Sequence, residues 1–250
     1  TFGETKLEAE GPCKRCVYGD PVTKVRRDKL HEPHLIGWRS RLEVRPAHRG
    51  TAAESGIVAG LLNPEMPIVE AQQIALAEFD KLSAFNKDPK AVKERAAIPG
   101  IVQQGILKLR KAGIPDEIQH RIEVRLNGID IPFMGFVDVG WTKHGIRLDI
   151  KSKLRMPTDI EQAHRRQVGL YIHGTNCTGR VAYFTPTQEM VFALEEAPRY
   201  VEELRQIAIR LQNFLALSDE QLRAVGLSGA KMRYGRSLAT DIVEGRIDFE

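Results

Sequence analysis

Three consecutive pieces decide the reading of this chain: Ile129-Asp130-Ile131-Pro132-Phe133-Met134-Gly135-Phe136-Val137-Asp138-Val139-Gly140-Trp141, then Thr142-Lys143-His144, then Gly145-Ile146-Arg147-Leu148-Asp149-Ile150-Lys151-Ser152. The first piece is apolar and β-branched, as a buried strand requires. The third alternates: Ile146, Leu148 and Ile150 point one way, and Arg147, Asp149 and Lys151 the other. The short polar link containing Gly145 predicts a tight hairpin between them. A turn centred on Lys143-His144 puts Asp138 directly opposite Asp149, and one centred on His144-Gly145 puts it opposite Lys151. Facing Cβ atoms in such a pair lie about 4.5–5.5 Å apart. A slip of one residue sends the two carboxylates to opposite faces.

A carboxylate pair with a lysine on the same face has a chemical use. Hard oxygen ligands suit Mg²⁺, which is usually held by one or two carboxylates plus substrate phosphates. An ion so placed polarises a phosphoryl oxygen and lowers the pKa of a bound water. Lys151, two residues past Asp149, would orient the attacking water or balance charge on the scissile phosphate. The same pattern also fits a solvated hairpin face with an ordinary Asp/Lys pair.

Upstream, the segment from Pro46 to Leu62 predicts a helix beginning near Gly50 whose small residues let it pack closely on the sheet. Glu54 is its one acid, either a ligand or a solvent-facing side chain. Downstream, Thr158 to Gly174 predicts a helix carrying Gln167 and Tyr171 on one face, with His164, Arg165 and Arg166 as further polar groups. Those cations either track a phosphate backbone or are solvated.

In order, Gly50-x-x-x-Glu54, Gly135-Phe136-Val137-Asp138, Asp149-Ile150-Lys151 and Gln167-x-x-x-Tyr171 resemble the PD-(D/E)XK nuclease superfamily. The resemblance is to the branch that contains the RecB nuclease domain, lambda-type exonucleases and the CRISPR adaptation nucleases. It implies an α/β fold, a mixed central sheet flanked by helices (a restriction-endonuclease-like core). It implies Mg²⁺ or Mn²⁺ on Glu54, Asp138, Asp149 and the carbonyl of Ile150, with Lys151 catalytic and Gln167 and Tyr171 near the substrate backbone. The activity implied is hydrolysis of DNA phosphodiester bonds, by an exonuclease acting on ends in recombination, repair or phage DNA metabolism. A structure-specific or restriction-type endonuclease, or a non-catalytic DNA-binding subunit, is the alternative. The implied setting is the cytoplasm of a bacterial or phage-infected cell, with DNA, a helicase or recombination partner, or a second copy of the chain as partners. His48 is a second choice for the position given to Glu54.

Several relatives carry an iron–sulfur cluster on four cysteines; with only Cys13, Cys16 and Cys177 here, a four-thiolate cluster within one chain is not expected. Cys13-x-x-Cys16 has the spacing of half a zinc site, which Cys177 with His31 or His34 would have to complete; reduced thiols are the expectation.

Composition fits a globular enzyme: 250 residues, 42% apolar, and no apolar run approaching a membrane span of about 20 residues. The whole net charge of +4 resides in residues 1–50, where eleven Lys/Arg face seven Asp/Glu. This basic arm, residues 1–49, either contacts phosphates, with Trp38 stacking on a base, or is a solvated surface. A nuclease core over 50–195 and a C-terminal helical extension over 196–250 complete the expected organisation. Within them the pattern predicts a helix over Pro67–Phe85, a helical stretch over Asp88–Ala112 broken at Pro99-Gly100, and a strand over Ile118–Leu126 ending in an Asn127-Gly128 hairpin turn. It also predicts strands over Gly179–Thr185 and Glu189–Leu194, a helix over Ala197–Leu217, a shorter one capped by Ser218, and a tail after Gly229 that is disordered or swapped onto a partner. There is no phosphate-binding loop, no nucleophile elbow and no His-Glu-x-x-His helix.

Overall fold

The computed structural model describes residues 46–85 and 88–243; most of the basic arm, with Trp38, Cys13, Cys16, His31 and His34, lies outside the described residues. Among the described residues three helices come first: α1 (Pro46–Leu62), α2 (Ile68–Leu82) and α3 (Lys90–Leu109). Strands β1 (Glu117–Val124), β2 (Phe133–Trp141) and β3 (Ile146–Ser152) form a meander, and α4 (Gln162–Thr175) crosses over to β4 (Thr178–Phe184). Strand β5 (Glu189–Ala193) and helices α5 (Ala197–Ala216), α6 (Asp219–Ala224) and α7 (Gly229–Val243) follow. The sheet runs β1-β2-β3-β4-β5; β3 and β4 are parallel and the other neighbours antiparallel, so the fold is α/β with a five-stranded mixed sheet.

Each face of the sheet has its own core. Val139, Trp141, Leu148, Ile150, Ala182 and Phe184 cover α1–α3, meeting residues such as Ile57, Phe79 and Ile101. Val137, Val181 and Tyr183 point the other way, toward Val168 and Tyr171 of α4 and Tyr200 of α5. The small residues of α1 do bring backbones together, chiefly against the neighbouring helices. A Cβ on Gly56 would lie 2.6 Å from the Ala71 carbonyl oxygen, and one on Gly60 would lie 2.5 Å from Ile106 Cδ1. No helix among the described residues is long and apolar enough to cross a membrane.

Four expectations need correction. Helix α1 begins at Pro46 rather than near Gly50, so the arm and the core meet inside a helix. Helix α3 runs unbroken through Pro99, because Ile98, Ile101 and Val102 are buried on that stretch and hold it through the missing hydrogen bond. Asn127-Gly128 does make a turn, with Ile129 N donating to Leu126 O at 3.1 Å and Gly128 at φ 80°, yet it does not join the strands directly. Residues 125–132 form a longer link, since Pro132 has no N–H to give a ladder and Asp130 N is taken by Gln212 of α5. The segment after Gly229 is helix α7: Met232 is buried, and Arg236 donates to the carbonyls of Leu215 and Leu217, capping the end of α5.

Candidate active site

The hairpin register is the one expected from a turn centred on Lys143-His144. Trp141 pairs with Ile146, Gly140 with Arg147 and Val139 with Leu148, joined by a 3₁₀ turn over Thr142–His144 and left-handed Gly145. The next step would pair Asp138 with Asp149, and there the ladder stops. Instead, Ile150 N donates to Asp138 Oδ2 at 2.6 Å, so a carboxylate takes the place of a backbone acceptor. The side-chain alternation changes phase at the same point: Val137 belongs to one core and Val139 to the other. Strand β1 follows suit. Ile118 packs on the first core and Ile122 on the second, and Gln119 between them has φ 45°, a left-handed backbone unusual inside a strand.

This paired distortion opens a cleft of about 490 Å³. Gly50, Thr51 and Glu54 of α1 form one wall; Asp138, Ile150 and Lys151 form the floor; Glu161, His164 and Gln167 close the far side. Asp149 is fully buried beneath Lys151, whose Nζ lies 3.3 Å from Asp149 Oδ2. The Gln119 amide donates to Glu54 Oε1 and, at 3.4 Å, to Asp138 Oδ1, bridging two carboxylates from different elements. The helix that carries Glu54 is held by a buried arginine five residues earlier. Arg49 donates to Ser152 Oγ at 3.2 Å and Ser152 O at 3.1 Å, and pairs with Glu94 of α3. That contact fastens α1 to the end of the strand that carries Lys151.

Electrostatics mark the floor as costly. The Asp138 carboxyl titrates well above its ordinary range, because burial disfavours its charge and Asp149 and Glu54 repel it. The Ile150 N–H and Lys151 oppose that shift only in part. His164 moves the other way, down to about 4, through burial and the charge of Lys151. Burial also pushes Tyr183, its hydrogen-bond partner, up to about 12.

The residues singled out in the sequence separate into two groups. Glu54, Asp138, Ile150, Lys151 and Gln167 meet at the cleft, with Asp149 immediately below. His48 is not on its wall: six residues at 3.6 per turn place it on another side of α1 from Glu54. Arg165 and Arg166 are also absent from the lining. Arg165 donates to Ile160 O at 2.8 Å and Tyr200 Oη at 3.1 Å and pairs with Asp159, while Arg166 pairs with Glu203 of α5. Tyr171 is buried and donates to Phe136 O at 2.7 Å while accepting from Gln167 Nε2, so it clamps α4 to β2 two residues before Asp138. Cys177 lies away from the cleft, receiving a hydrogen bond from Thr175 Oγ1. Sequence patterns passed over Gln119, placed Arg49 only in the basic arm, and gave His164 only the choice between tracking a phosphate backbone and facing solvent.

Whether the site suits a divalent ion follows from its donors. Among the described residues no three His, Cys, Asp or Glu side chains are grouped so as to hold an ion unaided. Two carboxylates and a carbonyl with substrate phosphate are nevertheless the usual holding of Mg²⁺. The mutual repulsion at Asp138, and the amide drawn between Glu54 and Asp138, show a position that favours positive charge. The residues fit.

No family model matches the chain, and no curated protein matches it. Among solved structures, the one described as "Crystal structure of SSO0001" is similar over 78% of this chain and 89% of that chain, at 17% identity and a TM-score of 0.35. A likeness of that size carries no argument.

Proposed function

We propose that this protein is a divalent-metal-dependent nuclease of the restriction-endonuclease-like type, hydrolysing DNA phosphodiester bonds, with ends as its preferred substrate and a cytoplasmic setting. The observation that carries the reading is the break in the β2–β3 ladder, where Asp138 and Asp149 come together beneath a cleft shared with Glu54 and Lys151. A solvated hairpin face, the competing account of the same residues, would leave these acids exposed; Asp149 is fully buried and Asp138 is 9% exposed.

Asp138, Asp149, Glu54 and the Ile150 carbonyl would hold Mg²⁺ or Mn²⁺. When bound, such an ion supplies Lewis-acid polarisation of the phosphoryl oxygen and a water of lowered pKa. Lys151 lines the cleft with its ammonium group resting on Asp149, and from there it would orient the attacking water and offset charge on the phosphate. Gln167 presents polar atoms to the backbone of the substrate, held by Tyr171. Ion-pairing of Arg165 and Arg166 within the protein leaves substrate contact on this side to Gln167 and His164.

The test uses end-labelled linear DNA and closed circular DNA with Mg²⁺, Mn²⁺ or EDTA, beside Lys151→Ala. Metal-dependent loss of linear DNA alone, absent in the variant, is expected. Cutting of circles would identify an endonuclease on the same site. DNA binding without cleavage under any metal would sink the catalytic reading in favour of a binding subunit.

A further inference from the structure

His164 sits on the wall of the cleft opposite Glu54, and its side chain is 14% exposed. Its Nδ1 lies 2.6 Å from Tyr183 Oη. Tyr183 is fully buried on β4 in register with Lys151, so its phenol is fixed with respect to the catalytic strand. The same Oη accepts the backbone N–H of Glu161 at 3.1 Å. That donor leaves the buried phenol's own hydrogen to be placed, and Nδ1 of His164 is an acceptor within its reach. Nδ1 is then an acceptor, and in a neutral imidazole the ring proton must reside on Nε2. Nε2 is on the opposite edge of the ring, and His164 is one of the residues that line the cleft.

Resting on the nuclease reading, we propose that His164 is a further catalytic residue whose Nε2–H, fixed by Tyr183, donates a hydrogen bond to a phosphate oxygen of the DNA in the cleft. The ring acts as a neutral, oriented donor and gives up no proton. Glu161 Oε2 lies 3.8 Å from Nδ1 and favours the charged ring, but burial with the charges of Lys151 and Lys153 outweighs it and keeps the ring uncharged at neutral pH. A neutral donor adds direction where Lys151 already adds charge. Such a preorganised N–H stabilises the charge that builds on phosphoryl oxygens as the bond to the leaving oxygen breaks.

Two measurements test this on the full chain. Nitrogen-15 imidazole spectra at neutral pH, without DNA, should show an unprotonated Nδ1 and a protonated Nε2 at His164, with the proton redistributed between them in Tyr183→Phe. Cleavage kinetics then compare His164→Met, which fills the space with no donor, and His164→Gln, which restores an N–H. The Met variant should lose about 10²-fold in kcat, the usual cost of one such donor. KM and DNA affinity should stay unchanged, the Gln variant should recover most of the rate, and both should melt as cooperatively as wild type. A protonated Nδ1 in wild type overturns the proposal, as does a His164→Met protein that cleaves at the wild-type rate. Wild-type protein inert toward all DNA with every metal overturns instead the nuclease reading on which the proposal rests.

Discussion

Arg49 offers the sharpest test of how the cleft is held together. Its side chain is 5% exposed, yet it carries a full charge, matched by Glu94 at 12% exposure and by two hydrogen bonds to Ser152. Replacing it with Met keeps the bulk and removes every one of those contacts. Breaking a buried ion pair by deleting one partner costs about 3–5 kcal/mol, because the other charge stays buried without compensation. Loss of the bond to the Ser152 carbonyl adds about 1 kcal/mol, while relaxation of Glu94 toward solvent recovers part of the total. An expected loss of about 4 kcal/mol lowers Tm by about 8–16 °C in a protein of this size. Urea unfolding at pH 7 measures it, with the slope against denaturant expected to stay constant. Arg49→Met/Glu94→Met should regain most of the loss, since an apolar pair of similar volume commonly replaces a buried ion pair at little cost. A single variant within about 1 kcal/mol of wild type, or a double variant no better than the single, would refute the argument that the charge pair and not the packing holds α1 to α3.

Three further outcomes follow from the same structure. Asp138 titrates above its unfolded value, so the folded metal-free chain binds the proton more tightly; its stability should rise as pH falls through the raised value toward the ordinary carboxylate range. Asp138→Asn should remove that dependence, melt higher than wild type in EDTA, cleave nothing, and lose the stabilisation of about 2.7 kcal/mol that Mn²⁺ at a hundred times its Kd gives wild type. His164 has the opposite sign: depressed from 6.5 to about 4, it takes a proton in the unfolded chain first, so stability is lost as pH falls from 6.5 toward 4. The difference between wild-type and His164→Gln melting curves across that window isolates it. Gly56→Ala drives a methyl to within 2.6 Å of the Ala71 carbonyl and should cost about 1–3 kcal/mol in urea titration without changing metal affinity.

The register of the β2–β3 hairpin was legible because its information is local. A short polar turn and a strand that alternates cleanly leave few pairings, and the centre of the turn places Asp138 and Asp149 together even though the real turn is longer than two residues. The strands β4 and β5 and the helices α2, α4 and α5 were likewise visible as periodicity, and the capping box at Ser218 as a start signal. What could not be read depends on partners far along the chain. Arg165 and Arg166 have the composition of a phosphate-contacting face, and only the fold shows Asp159, Tyr200 and Glu203 consuming them. Tyr171 carries a hydroxyl that would suit a substrate, but the packing of α4 on β2 buries it against the Phe136 carbonyl. Arg49 lies 103 residues from Ser152, a separation no pattern spans.

The least legible feature is the one that shapes the cleft. Nothing in the run Glu117-Ile118-Gln119-His120 announces a left-handed residue, because Gln has no preference for that region and strands suppress it. Yet the phase change at Gln119 and Asp138 is what turns Asp138 out of both cores and into the cleft. A regular strand would have sent Val137 and Val139 to the same core and kept the ladder closed, leaving no space between Asp138 and Asp149. Backbone strain of this kind costs about 1–3 kcal/mol and persists only where surrounding structure fixes it. Here Trp141 and Leu148 fix one side, and Tyr171 with Ile122 the other. A chain selected for stability alone would gain by replacing the Asp138 charge with a neutral acceptor for the Ile150 N–H, since that charge is buried and repelled by two neighbours. Keeping an acid, a strained backbone and a bridging amide at one point is a conflict among local rules, and such conflicts concentrate where a site needs groups that the fold would otherwise exclude.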